Sequence, residues 1–312
     1  MSKEFMTYDQ QINKLKNEKG LFIGDETHAK EVLKRNSYYS LISGYKEIFK
    51  NKITKKYKDG VCFEDIESLY EFDRALREVF LNYILKVETQ IKSLISYSFC
   101  EKYGEQQQEY LQHSNYEYRG RNKKDINKLI GILGRYVNDN EEYTYINHAR
   151  KAHNNIPLWV LMNALTFGNV SVMYKNLTQD LKIKISREYK SVNESQLESL
   201  LKYVVRYRNV CAHGERLFSY RNRESIPNFL LHEKMAIEKK GAQYKYGKHD
   251  LFAVVIALKY MLGKEEFVIF KNKLAYLLMK YFQEEHGIAR ERMLAYMGFP
   301  ENWASITRYR KT

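Results

Sequence analysis

The amino-acid sequence predicts an all-α protein: a helical bundle with an N-terminal helical lead-in and a helical C-terminal extension. Three features support this prediction. The 312 residues include only three prolines and many Lys, Glu, Leu and Ile residues, a composition that favours long helices. Between Glu64 and Lys102, apolar residues recur at steps of three and four, the period of an amphipathic helix. No stretch alternates polar and apolar residues strongly enough to build a sheet.

Residues 1–62 form the predicted lead-in. Four glycines interrupt its short helical patterns. Between them, Asn36–Phe49 reads NSYYSLISGYKEIF, a compact group of aromatic and aliphatic residues. We expect this segment to pack as a small helical unit ahead of the main bundle.

Residues 63–220 form the predicted helical core. Its long first helix ends at Gly104, and a shorter helix covers Asp125–Asn138. Pro157 opens a further helix, since proline suits a first helical turn. The last core helix begins near Ser195, which forms a capping-box signature with the glutamate three residues later. Within the long helix, Glu88 beside the apolar stripe is interpreted as a solvated edge or a lysine's partner.

Residues 221–312 form the predicted extension. We expect helices at Met235–Lys240, at Leu251–Leu262 with Asp250 as its cap, and at Lys264–Phe282. The Leu251–Leu262 run is the most apolar in the chain, but it is too short to span a bilayer. It therefore predicts a buried helix, and we expect no association with a membrane.

The cysteines indicate a reducing compartment. Cys62, Cys100 and Cys211 are far apart and form no C-x-x-C pair, so neither a disulfide framework nor a zinc site is predicted. His148 and His153 lack the spacing and the neighbouring ligands of a metal site. We expect a cytoplasmic protein without a metal or a cofactor, since the N-terminus also lacks the apolar core of a signal peptide.

The segment Lys202–Arg221, KYVVRYRNVCAHGERLFSYR, carries the candidate chemistry. Arg208 is followed by Asn209 and, five positions after the arginine, by His213. Arginine is a permanent cation that fits phosphate oxygens, and histidine exchanges protons near neutral pH. Gly214 directly behind is a residue that commonly ends helices.

These residue types fit metal-free cleavage of RNA, in which a ribose 2′-hydroxyl attacks its own phosphodiester. His213 would transfer protons, Arg208 would hold the phosphate, and Asn209 would fix a side chain by hydrogen bonding. Arg206 precedes the same histidine at an alternative spacing, so the sequence leaves open which of the two arginines holds the phosphate. On an ideal helix Arg208 and His213 lie roughly 140° apart. One copy is thus half a site, which predicts a homodimer with one composite cleft.

The charge of the chain favours a polyanionic partner. The formal net charge is +14, and residues 200–249 hold eleven Lys and Arg against four Glu and no Asp. Half of the excess therefore surrounds the arginine–histidine pair. We expect Arg206, Arg216 and Arg221 to bind RNA.

Four segments of the sequence resemble one protein family: YYSLISGY from Tyr38, FEDIESLYEFDRALR from Phe63, PLWVLMNALTFG from Pro157 and RNVCAHGERL from Arg208. In this order they are similar to bacterial abortive-infection proteins of the AbiD/AbiF type, a lineage of the HEPN ribonucleases. The resemblance covers roughly residues 30–220. It implies a HEPN-type bundle that dimerises and cleaves RNA without a metal, acting as a toxin in phage defence. It also suggests a regulatory noncoding RNA as a partner.

A function of a different class fits the same composition. A non-catalytic RNA-binding or scaffold protein in a defence or toxin–antitoxin complex would keep the fold and the basic surface without cleaving RNA. The activity of a His213 variant separates these two hypotheses.

Overall fold

The computed structural model describes residues 4–138, 142–283 and 288–311. Over these residues the chain is predominantly helical, which confirms the all-α prediction. The α-helices are α1 (Tyr8–Asn13), α2 (Glu26–Asn36), α3 (Phe63–Tyr103), α4 (Gln107–Leu111), α5 (Asn122–Asn138), α6 (Thr144–His153), α7 (Leu158–Leu161), α8 (Phe167–Asn176), α9 (Gln179–Ser186), α10 (Glu194–Ala212), α11 (Leu230–Lys234), α12 (Leu251–Met261), α13 (Lys264–Gln283) and α14 (Arg290–Met297). A small antiparallel hairpin pairs β1 (Lys239–Lys240) with β2 (Gln243–Tyr244).

Helix α3 is the axis of the bundle. Its 41 residues extend over about 60 Å. The residues that recur at steps of three and four are buried, and they include Leu76, Phe80, Ile84, Val87, Ile91 and Ile95. Helices α7, α8, α9, α10, α12 and α13 all pack against α3. The helix ends at Gly104, whose φ of +94° lies in the left-handed region that favours glycine.

Helix α10 carries the candidate site and begins slightly earlier than the sequence predicts. Its N-cap is Asn193, whose side chain accepts a hydrogen bond from the Gln196 amide at 2.8 Å. The Gln196 side chain accepts in return from the Asn193 amide at 3.0 Å. The capping box expected for Ser195 and Glu198 was therefore wrong. Asparagine caps as well as serine does, and the carboxylate of Glu198 is held by Lys182 at 2.7 Å.

Helix α12 is buried along its whole length, as its apolar sequence predicts. The Asp250 side chain caps it by accepting a hydrogen bond from the Ala253 amide at 3.0 Å, which confirms the predicted cap. The predicted helix at Lys264–Phe282 is also confirmed, as α13. Within the described ranges, no helix is both long and apolar enough to cross a membrane.

The helix expected at Met235–Lys240 was wrong. The chain has already left α11 there, because Ala236 adopts a left-handed φ of +51°. The following residues turn through Gly241, with a φ of +65°, to form the β1–β2 hairpin. Local helix propensity is a weak guide for so short a segment.

A single continuous apolar core joins the three predicted regions. Tyr45 of the lead-in stacks on Phe218, with ring centroids 5.8 Å apart. Tyr203 of α10 donates a hydrogen bond at 3.0 Å to the carbonyl of Asp250, at the start of α12. The domain boundaries at residues 62 and 220 stay a prediction.

Candidate active site

The C-terminal end of α10 is closed by a Schellman motif. The helix ends at Ala212, and the His213 amide donates to the carbonyl of Asn209 at 2.9 Å. Gly214 has a φ of +67° and donates to the Cys211 carbonyl, while the next amide donates to the carbonyl of Val210 at 3.0 Å. His213 is therefore fixed as the C-cap residue directly after the helix, and its side chain is exposed.

Arg208 lies half-buried against α3. Its Nε is 3.6 Å from Oε2 of Glu88, an ion-pair distance that is too long for a hydrogen bond. The Glu88 side chain is only 8 % exposed, and its other oxygen lies 2.8 Å from Nζ of Lys92. A buried carboxylate thus faces the inner side of the guanidinium. Arg208 Nε is itself buried, although 31 % of the side chain is exposed.

The other predicted site residues are exposed. Arg206, Asn209, Arg216 and Arg221 all lie on the surface, like His213. The chain is helical up to Ala212, so the Cα of His213 still follows the helix, about 7.5 Å along the axis from that of Arg208. The structure therefore brings the arginine and the histidine to one end of α10, but to different sides of it.

Arg216 and Arg221 contact main-chain carbonyl groups. Arg216 donates to the carbonyl of Gly44 in the lead-in. Arg221 donates to the carbonyls of Tyr220 at 3.4 Å and Ala295 at 3.3 Å. The charge of Arg221 also acts on the buried Asp250 carboxyl, whose pKa is raised by burial and lowered by this charge. Both guanidinium groups remain exposed.

A buried polar network fixes the segment after His213 to α3. Asp73 on α3 accepts from the amides of Leu217 at 2.9 Å and Phe218 at 2.6 Å. It also accepts from the Tyr45 hydroxyl at 2.6 Å and from the Arg77 guanidinium at 2.8 Å. We call Tyr45, Asp73 and Arg77 the Asp73 network. Burial raises the pKa of the Asp73 carboxyl, and the hydrogen bonds from Tyr45 and from the main chain oppose that rise.

The geometry of the Asp73 network suits an ionised carboxylate. All of its partners donate, and both carboxylate oxygens are used. Arg77 reaches further and donates at 3.3 Å to the carbonyl of Glu215, two residues after His213. The network therefore sets the path of the chain directly behind the candidate histidine.

Cys211 lies next to this network and is a poor nucleophile. Burial raises the pKa of its thiol to about 12, so the reactive thiolate is not formed near neutral pH. Among the residues that the structure describes, no three His, Cys, Asp or Glu side chains form a group that could hold a metal ion. This surface carries the exposed imidazole of His213 and the exposed guanidinium groups of Arg206 and Arg216.

Sequence reasoning missed part of this site. Glu88 was interpreted as a solvated edge or a lysine's partner. It is buried and not solvated, it does pair with Lys92, and it also faces Arg208. A carboxylate inside an apolar stripe was the available signal. Asp73 and Arg77 were not singled out, although their four-residue spacing on a helix is that of an ion pair.

The fold and the site define an all-α protein with an arginine and a histidine at the exposed end of a core helix. The model of the family described as Abi-like protein matches residues 31–219, which include both of these residues. Because the match covers more than half of the 312 residues, the chain belongs to the Abi-like family of abortive-infection proteins. No curated protein and no solved structure matches the chain significantly.

Proposed function

We propose that this protein is a metal-independent HEPN-type endoribonuclease that acts as a toxin in abortive infection, a form of phage defence. The proposal is supported above all by the arrangement of side chains at the C-terminal end of α10. There an exposed His213 follows Arg208, whose inner side faces the buried carboxylate of Glu88. Membership of the Abi-like family supports the role in defence.

The proposed reaction is attack of a ribose 2′-oxygen on the adjacent phosphorus. The 2′-O–P bond forms, the P–O5′ bond breaks, and the products carry a 2′,3′-cyclic phosphate and a 5′-hydroxyl. One histidine takes the proton of the 2′-hydroxyl, and a second histidine gives a proton to the leaving 5′-oxygen. Arg208 holds the non-bridging oxygens and stabilises the charge that develops on them. Asn209 positions a side chain or the substrate by hydrogen bonding.

Because each chain contributes one His213, a site with two such histidines requires two copies of the chain. The separation of Arg208 and His213 around α10 leaves each protomer with half of the constellation. We infer a two-fold symmetric homodimer in which the two α10 ends meet across one cleft. The exposed Arg206, Arg216 and Arg221 would extend this cleft and bind the RNA backbone, with Arg206 as the alternative to Arg208.

Cleavage of labelled RNA by the purified protein in EDTA tests the proposal. We expect His213→Ala to abolish cleavage while RNA binding remains. The control is His153→Ala, which changes another exposed histidine at the end of a helix, α6. Cleavage that persists in His213→Ala would contradict the proposal. RNA binding without cleavage by the wild-type protein under all conditions would favour the non-catalytic RNA-binding or scaffold function.

The arginine and the dimer have separate tests. Arg208→Lys keeps a positive charge but loses the planar fork, so we expect it to retain some RNA affinity and to lose much of the rate. Equal rates in this variant and the wild type would assign the role to Arg206 or to neither. If the active unit is a dimer, the activity per molecule falls on dilution in step with the mass measured by light scattering. Full activity from a monomer would refute the composite site.

A further inference from the structure

A cavity of about 450 Å³ lies between α12, the first turn of α13 and the C-terminal segment 307–311. This volume is within the range of roughly 300–1,000 Å³ typical of small-molecule sites. Six cationic side chains line it: Lys190, Lys259, Lys264, Arg308, Arg310 and Lys311. No Asp or Glu is among the described residues of the lining, so these cations have no carboxylate partner inside the cavity.

In the buried part of the cavity, neighbouring lysines act on one another electrostatically. Lys259 is only 5 % exposed, and its amine donates to the carbonyls of Ile306 and, at 2.7 Å, of Tyr309. Burial and the charge of Lys311 lower the pKa of Lys259 to about 8. Burial and the charge of Lys190 lower the pKa of Lys311. The repulsion among these lysines would be relieved by an anion in the cavity.

The surroundings add to the positive potential. The cavity includes the N-terminal turn of α13, where the helix dipole is positive. The acidic residues of that turn, Glu265 and Glu266, do not line the cavity, and Glu266 is paired with Lys86 at 2.7 Å. Phe267 and Tyr309 complete the wall beside the cations. A ligand that joins a compact polyanion to a flat ring matches this combination.

We propose that this cavity binds the phosphate groups of a nucleotide, either a free nucleoside triphosphate or the triphosphorylated 5′ end of an RNA. Among biological anions, a phosphate chain concentrates the most charge in so small a volume, and lysine and arginine are its usual partners. Nearly all of the lining lies after residue 219, beyond the matched family region. The inference goes beyond the proposed ribonuclease activity and does not depend on it.

Direct binding of ATP to the full-length protein, measured by calorimetry, tests the inference. The informative variant is Lys264→Gln combined with Arg310→Gln, since both side chains are exposed and their removal leaves the core intact. We expect binding at least about tenfold weaker than that of the wild type, because two charge-assisted contacts are lost. The control is Lys280→Gln, an exposed lysine at the other end of α13. Its affinity should equal that of the wild type.

Further probes identify the source of the phosphates. Competition by inorganic triphosphate would confirm that the phosphates carry the binding. If ATP does not bind but a 5′-triphosphorylated RNA binds more tightly than the same RNA with a 5′-hydroxyl, the site takes an RNA end. Every arm measures binding and not cleavage, which separates this test from that of the proposed ribonuclease activity. The inference is overturned if the wild type binds neither ATP nor the 5′-triphosphate preferentially, or if the double variant and Lys280→Gln bind alike.

Discussion

Replacing Asp73 with asparagine removes one charge from the Asp73 network and changes the shape of the side chain little. The Asp73 side chain is fully buried and that of Arg77 is 8 % exposed, so the arginine would be left as a nearly buried, unpaired cation. Breaking a buried ion pair by removing one partner costs about 3–5 kcal/mol. The new amide group would in addition face a main-chain N–H donor in either orientation, since both oxygens of Asp73 accept from the main chain.

We therefore expect Asp73→Asn to lower the free energy of unfolding by about 3–5 kcal/mol, a large part of the 5–15 kcal/mol typical of folded proteins. Urea unfolding followed by circular dichroism measures this difference. The matched control is Asp180→Asn, because Asp180 forms an ion pair with Lys102 at 2.7 Å but is 61 % exposed. Removing an exposed pair should cost less than about 1 kcal/mol.

The same variant tests whether the Asp73 network positions the candidate site. Its hydrogen bonds hold residues 215–218 directly behind His213, so RNA cleavage should fall in Asp73→Asn at temperatures where the variant is still folded. Arg77→Met should produce a similar loss, and the double variant should lose less than the sum of the two. A stability change as small as that of Asp180→Asn, or losses that simply add, would refute the reasoning about this network.

Three further predictions concern single side chains. Glu88→Gln removes the charge that faces the candidate arginine and should lower the cleavage rate, whereas Glu78→Gln, an exposed change on the same helix, should not; equal rates would show that the buried carboxylate is irrelevant. Gly214→Ala should lower the free energy of unfolding, measured in urea, by about 1 kcal/mol, because alanine is strained at a φ of +67° even though an added Cβ would contact no other atom. The control Gly134→Ala, inside α5, should not destabilise the protein. Burial lowers the pKa of His232 from its ordinary value of about 6.5, so the unfolded chain takes up the proton first and stability falls as the pH drops below about 6.5. Unfolding at pH 5 to 8 should show a smaller pH dependence in His232→Gln; an unchanged dependence would contradict this assignment.

The parts of the fold that follow from strong periodicity could be predicted from the sequence. Helices α3, α12 and α13 each have an apolar pattern long enough to predict a helix. The cap of α12 could also be predicted, because aspartate is a preferred N-cap residue and Asp250 directly precedes the apolar run. The hairpin after Ala236 could not be predicted, because it depends on a left-handed backbone at a residue that ordinarily favours helices. The start of α10 was misplaced because two polar residues compete as its cap, and tertiary contacts of Glu198 decide between them.

Some features of the candidate site follow from local sequence rules, and others depend on contacts between distant residues. Gly214 marks the helix end in the sequence, so the exposed position of His213 could be inferred from local rules alone. The role of Glu88 depends on how α3 and α10 cross, which brings together residues 120 positions apart. The Asp73 network is likewise made by contacts between α3 and residues 144 and 145 positions away, which no local pattern reports. The candidate side chains Arg208 and His213 could therefore be chosen from the sequence, while the contacts that hold them could be found only from the fold.

The chemistry of the RNA ends left by the protein in EDTA tests the central proposal most directly. We expect 2′,3′-cyclic phosphate and 5′-hydroxyl ends for the wild type, and none of either above background for His213→Ala. A 3′-hydroxyl with a 5′-phosphate would mean that water, and not the ribose 2′-hydroxyl, attacks the phosphorus. That result, or cyclic phosphate ends formed equally by His213→Ala, would contradict the mechanism assigned to Arg208 and His213.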